Sequence, residues 1–181
     1  MKRSNLLHLL GEYKPVDGQE IIFKEMMISF IQRHEDCFER SLKIGHITAS
    51  AWLINKNGTH ALLMHHAKLN RWLQPGGHCD GNPNTREVAL KEAREESGIY
   101  GIELVGTNIF DIDIHLIPTN AREQEHYHYD VRFLLKVTSD ENIIQNSEST
   151  ALRWIGKNRD ELPTDNQSII RMFEKWIKND F

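Results

Sequence analysis

Glu92, Glu95 and Glu96 stand at i, i+3 and i+4, the spacing that brings side chains to one face of a helix. The surrounding residues predict that helix. Asn84 with Glu87 three positions on supplies an N-cap and a reciprocal partner, and Gly98 suits the left-handed residue that ends a helix. At about 100° per residue the three glutamates share one face, Ala89, Leu90 and Ala93 an adjoining one, and Glu87, Lys91 and Arg94 a third. Acidic runs are ordinarily solvated surface. Here the neighbouring carboxylates are expected to repel one another with no basic partner on their own face, a cost that a bound divalent cation reverses. Mg²⁺, a hard ion held by a few carboxylates and substrate phosphates, is the first candidate, and Mn²⁺ the second. The preceding loop, Trp72-Leu73-Gln74-Pro75-Gly76-Gly77-His78, adds two residues without a Cβ, so that backbone can come close to a metal or a phosphate.

Read as one block, residues 72–99 resemble the box of the Nudix hydrolases, which runs Gly, five residues, Glu, seven residues, Arg-Glu-apolar-x-Glu-Glu-x-Gly-apolar. Gly77, Glu92, Ala93, Glu95, Glu96, Gly98 and Ile99 fall on seven of its nine defined positions. Pro83 replaces the first glutamate, and Lys91 replaces the arginine whose planar fork would pair with a carboxylate. Asp80 is a candidate substitute for the missing acid. The resemblance implies an α/β (α+β) fold, an α/β/α sandwich in which a mixed β-sheet is flanked by helices. It also implies Mg²⁺-dependent attack of water on a phosphoanhydride in a nucleoside diphosphate linked to another moiety, or in a related small molecule. On matching positions, Gly77 offers its carbonyl to the metal, and Glu92, Glu95 and Glu96 are metal ligands and catalytic groups. Glu92 is the first choice of general base; Glu148 is a candidate from outside the box, with Glu123 and Glu125 behind it. The alternative is a Nudix-fold nucleotide-binding or regulatory domain with weak or lost catalysis, suggested by Pro83 and Lys91. An isoprenoid diphosphate isomerase ranks last, because no paired cysteine and glutamate pattern supports it.

Composition narrows the partners. The 181 residues include 22 basic and 26 acidic ones, a formal charge of −4 with no basic stripe, which disfavours duplex nucleic acid and leaves a small nucleotide-type molecule. Cys37 and Cys79 form no C-x-x-C pair, consistent with a reducing cytoplasm and with neither a disulfide framework nor a thiolate zinc site. Neither a signal peptide nor a membrane span is read. Apolar N-terminal helices make a second copy of the chain a candidate partner, as a homodimer.

These groups need a scaffold. Residues 1–45 are expected to be a helical extension, with Asp17 and Glu20 as a capping box ahead of Ile22, Phe23, Met26, Met27, Phe30 and Ile31. Residues 46–181 are expected to be the hydrolase domain. Residues 47–65 read as a hairpin turned at Asn57-Gly58. Alternation around 110–116 and 127–135 predicts two half-buried strands, a shorter strand lies near 151–155, and a closing helix spans 167–177 with Ile169, Ile170, Phe173, Trp176 and Ile177 on its apolar side. Of the ten histidines, His126 and His128 share a strand face with Asp130 and Arg132, read equally as a hydrated sheet face or as a grip on substrate phosphates. His65 and His66 point to opposite faces and are read as incidental. Trp72, Tyr127 and Tyr129 are candidates to stack on a base, although packing is the commoner use of such rings.

Overall fold

The computed structural model describes residues 2–119 and 124–179. Two helices open the chain, α1 (Ser4–Glu12) and α2 (Gly18–Arg33). Strands β1 (Gly45–Ile54), β2 (His60–His66), β3 (Arg71–Leu73) and β4 (Gly76–His78) lead into α3 (Thr85–Ser97). Then come β5 (Ile102–Leu104), β6 (Asp111–Ile117), β7 (His126–Val137), β8 (Ser149–Gly156), a 3₁₀ turn at Arg159–Glu161 and α4 (Gln167–Ile177).

The sheet is mixed and curled, with β1 at its centre. β1 runs parallel to β7 over its whole length and antiparallel to β4, while β7 carries β6 and β5 on its far edge and β2 carries β8 and β3. Ile47, Ala49, Ala51 and Leu53 of β1, with Val131, Phe133 and Leu135 of β7, face the core shared with α1, α2 and α3. The alternate residues Trp52, Ile54 and Leu134 face Phe173 and Trp176 of α4. Period-two burial on both faces explains the near-continuous apolar run of β1, and each fully buried large side chain contributes about 1.5–3 kcal/mol.

The expected hairpin is not a simple one. β1 and β2 are adjacent but share a single register pair, Ile54 with Ala61, before diverging to β4 and β8. Gly58 has φ 71° whereas Asn57 does not take a positive φ, so the two-residue turn that Asn-Gly favours does not form. Asn55 organises the loop instead, its side-chain oxygen accepting from Thr59 N–H at 2.8 Å and His60 N–H at 3.0 Å.

The N-terminal helices belong to the same core: Leu6, Leu10, Met27 and Ile31 are fully buried, and the Phe30 ring stacks on Tyr129 at 3.9 Å. That contact takes Tyr129 out of reach of a base. Met26, by contrast, is 45% exposed. Asp17 caps α2 by accepting from Glu20 N–H at 2.8 Å, but the reciprocal half of the capping box is missing. The Glu20 carboxylate turns inward, accepting from Tyr13 Oη at 2.6 Å and pairing with Lys175 Nζ of α4 at 2.6 Å. Residues 34–44 are irregular rather than helical.

Candidate active site

α3 is held where the box requires it. Asn84 accepts from Glu87 N–H at its start, and Gly98 ends it at φ 73°, donating its N–H to the Arg94 carbonyl at 2.9 Å. Its Val88, Ala89 and Ala93 are buried against the sheet, which fixes the rotation of the helix and presents Glu92 and Glu96 to the Gly76-Gly77 strand.

The glycines are there for space. A Cβ on Gly77 would lie 2.7 Å from Glu92 Cδ, and one on Gly76 would meet Ser50 Oγ. Glu96, only 3% exposed, accepts from Gly76 N–H at 2.8 Å. Burial pushes the Glu96 carboxyl up to about 8 against that hydrogen bond, and the charges of Glu92, Glu148 and Glu95 push the same way. Burial also raises Glu92, opposed by Lys91 and assisted by Glu95 and Glu148. Glu95 is more than half exposed. Glu148, exposed on the loop before β8, therefore acts on the Glu92 and Glu96 carboxyls through its charge, while Asn146 of the same loop ties to α3 by donating to the Glu95 carbonyl at 3.1 Å. Glu125 sits at the β6–β7 connection, its N–H donating to Thr119 Oγ1, and Glu123 lies outside the described residues.

One expectation about this face is corrected. Lys91 is not confined to the third face of α3: its flexible stem swings over, and Nζ lies 3.1 Å from both Glu92 Oε1 and Glu95 Oε2. The ammonium thus sits where a cation would, between two of the three carboxylates. Asp80, the substitute acid, takes φ 47° and forms a bidentate pair with Arg40 at 2.5 and 2.6 Å, so its carboxylate is committed elsewhere. Pro83 is half-buried beside it in the loop.

The polar face of β7 is not hydrated. Asp130 and Arg132 are each 2% exposed and Asp111 is fully buried. Arg132 reaches Asp130 at 2.7 Å, Asp111 at 3.0 Å and Asp113 at 3.3 Å, and donates to Ser168 of α4. Arg171 of α4 makes a bidentate pair with Asp111 at 2.9 Å and reaches Asp113 at 3.0 Å. Thr48, Ser50 and Gln74 donate to Asp130. Arginine charges hold the Asp111 and Asp113 carboxyls below the usual range despite their burial. Arg132, its fork spent on three carboxylates, is no grip for a phosphate.

Further along the same face the histidines gather. His46 of β1 and His128 of β7 are register partners, His115 of β6 pairs with His128, and His78 ends β4 one pleat away. Burial, reinforced by the surrounding rings, pushes His46 down to about 4 and His128 down to about 2, so both are neutral. His46 and His78 were not singled out in the sequence. The signal was there in the alternation of His46, Thr48 and Ser50, but only the strand pairing brings it to His126 and His128. His65 lies edge-on to Trp72, at 5.3 Å between centroids, and bonds Thr150, in keeping with a packing role.

A model of the NUDIX domain matches residues 45–175. The chain belongs to the Nudix family. Nudix membership and the Nudix fold support hydrolysis of a phosphoanhydride as the generic activity. The asymmetrical bis(5'-nucleosyl)-tetraphosphatase of Rattus norvegicus is 29% identical over 89 residues, which cover 49% of this chain. The matched stretch spans 57% of that relative's own length. Among solved Nudix-fold structures, a C. elegans Ap4A hydrolase complex superposes with a TM-score of 0.57 at 16% identity, covering 72% of this chain and 93% of that one. A UDP-X diphosphatase structure gives 0.55 at 16% identity and covers 96% and 91%, so its likeness reaches into the N-terminal helices. At such identities the likeness is one of fold. No helix among the described residues is long and apolar enough to cross a membrane.

Proposed function

We propose that this chain is a Mg²⁺-dependent Nudix pyrophosphohydrolase acting on a nucleoside diphosphate linked to another moiety, with residues 46–181 as the hydrolase domain and 1–45 as an extension completing its core. One observation carries the reading: Glu96 is buried and Glu92 half-buried against Gly76 and Gly77, and among the described residues no guanidinium pairs with either. Their raised carboxyls mark a site short of positive charge, and an oxygen-only donor set suits Mg²⁺, with Mn²⁺ as its substitute. Glu92, Glu95 and Glu96 would hold the ion, with the Gly77 carbonyl beside them, displacing Lys91 from its bridge. A bound divalent ion would polarise the phosphoryl oxygens and offset charge on the leaving phosphate.

The chain's own groups do the rest. Glu92, whose carboxyl burial shifts toward neutral pH, takes the proton of the attacking water, and Glu148 is the alternative acceptor from the facing loop. The Gly76 N–H fixes the orientation of Glu96. A groove of about 430 Å³ lined by Lys91, Glu95, Tyr100, Ile144 and Asn146 adjoins the carboxylates, and Trp72 lines another beside Pro163–Asn166. The rat relative directs the first substrate trial to dinucleoside polyphosphates. The reading is tested by incubating purified protein with those compounds, nucleotide sugars and nucleoside di- and triphosphates, with Mg²⁺ or Mn²⁺. Product is expected from at least one, with turnover in Glu96→Gln lowered roughly 100-fold or more. The Lys91 bridge favours one competing reading, a binding domain; ligand-induced thermal stabilisation without product from any compound would select it.

A further inference from the structure

We propose that His46, His78 and His128, with His126 alongside, form a second metal site that takes a borderline divalent transition ion, Zn²⁺ above all, distinct from the carboxylate site. The ligating atoms of His46, His78 and His128 lie within 4.8 Å of one another. They come from three strands whose pairing fixes their convergence. In a tetrahedral zinc site with Zn–N near 2.0–2.1 Å, neighbouring nitrogens are about 3.3 Å apart. His126 Nε2 and His128 Nε2 already lie at 3.2 Å, and rotation of short side chains on the other two strands closes the rest.

The tautomers point the same way. His126 Nδ1 lies 2.7 Å from the Gln124 carbonyl, which can only accept, so in the neutral ring Nδ1 carries the hydrogen and Nε2 presents its lone pair to the cluster. His115 Nδ1 faces the Asp113 carboxylate at 3.1 Å. A ring nitrogen donating outward to a carbonyl or carboxylate is the arrangement that orients metal-bound histidine. Buried histidines ordinarily find a hydrogen bond, yet His46 is 1% exposed and, among the described residues, neither of its ring nitrogens has one of ordinary geometry. The nearby Leu42 carbonyl, which already accepts from Gly45 N–H, acts on that ring less than burial and the His78 and His126 rings do. Imidazole nitrogen selects zinc, cobalt, nickel or copper over Mg²⁺, which requires oxygen, so the two sites sort their ions by ligand chemistry. Such an ion would pin together β1, β4 and β7 at the end of the Gly76–His78 strand.

The test uses untagged full-length protein stripped with chelator and titrated with Co²⁺. One equivalent is expected to produce the strong visible absorption of a four-coordinate cobalt ion, displaced by Zn²⁺ and untouched by excess Mg²⁺. His46→Asn and His128→Asn should abolish it, His115→Ala should weaken binding roughly tenfold, and the Glu92→Gln/Glu96→Gln double variant should retain it. Absorption that survives both histidine changes, or that is lost in the glutamine double variant, overturns the proposal, as does failure to bind. Should the histidine variants not fold, anomalous diffraction at the zinc edge from wild-type crystals decides: a peak among the three rings supports the site, and a peak elsewhere or none refutes it.

Discussion

Two carboxylate clusters in this fold are built by opposite rules. On α3 the acids come from one turn and a half of a single helix, and among the described residues the base paired with them is the exposed Lys91. On the sheet face, Asp111, Asp113 and Asp130 come from two strands and meet Arg132 and Arg171 in a sealed, multiply bonded network. Burial raises the carboxyls of Glu92 and Glu96, whereas guanidinium charge overrides burial and lowers Asp111 and Asp113. The comparison teaches how to tell a binding site from a structural network among buried acids. A saturated cluster holds the fold together, and an undersaturated one is open to a cation.

The sharpest way to break that contrast is to remove one base from the saturated cluster. Arg132→Ala leaves three buried carboxylates short of their shared partner and is expected to lower unfolding free energy by about 3–5 kcal/mol, read by denaturant titration. Glu96→Gln, which replaces a buried carboxyl that must otherwise keep its proton or bear an unpaired charge, should leave the metal-free protein as stable or more so.

Next in size is the pH response of the metal-free protein. Native Glu96 holds its proton up to about 8 against an ordinary 4.5, so between those values the folded state binds more protons than the unfolded one. Stability is therefore fully present below the unfolded value and falls as pH rises through about 8, with a slope of up to one proton to which Glu92 adds in the same direction. The lowered Asp111 and Asp113 act oppositely, their contribution being lost as pH drops below the unfolded 3.8. Thermal melts across pH should show a maximum in weak acid, and Glu96→Gln should flatten the alkaline limb. Saturating Mg²⁺ should do the same.

A smaller effect is expected from Gly77→Ala. The added methyl would displace the Glu92 carboxylate, the far end of a flexible side chain, so the protein should fold normally while Mn²⁺ affinity measured by calorimetry falls about tenfold. Unchanged affinity would mean that the Gly77–Glu92 contact does not shape the metal site.

The two clusters were unequally legible in the sequence. Everything about α3 is local: Asn84, Glu87, Gly98 and the glutamate spacing are separated by at most a few turns, and helix geometry alone puts Glu92 and Glu96 together. Even so, the wheel misplaced Lys91, because a long flexible stem is not bound to the face its Cα occupies. The β6, β7, β8 and α4 segments were legible from their periodicity. What the sequence concealed depends on pairing between distant strands. Asp111 with Arg132, and His46 with His128, meet through register that no single segment encodes. For the same reason Asn57-Gly58 suggested a tight hairpin, where competition from β4 and β8 pulls β1 and β2 apart after one pair.

The most direct measurement is an electron paramagnetic resonance titration of chelator-stripped protein with Mn²⁺, wild type against the Glu92→Gln/Glu96→Gln double variant. If the undersaturated acids of α3 are the cation site, the wild type binds Mn²⁺ through oxygen ligands and the double variant binds it at least roughly 100-fold more weakly while remaining folded. Equal affinity in the two proteins would contradict that assignment and remove the basis for a metal-dependent hydrolase.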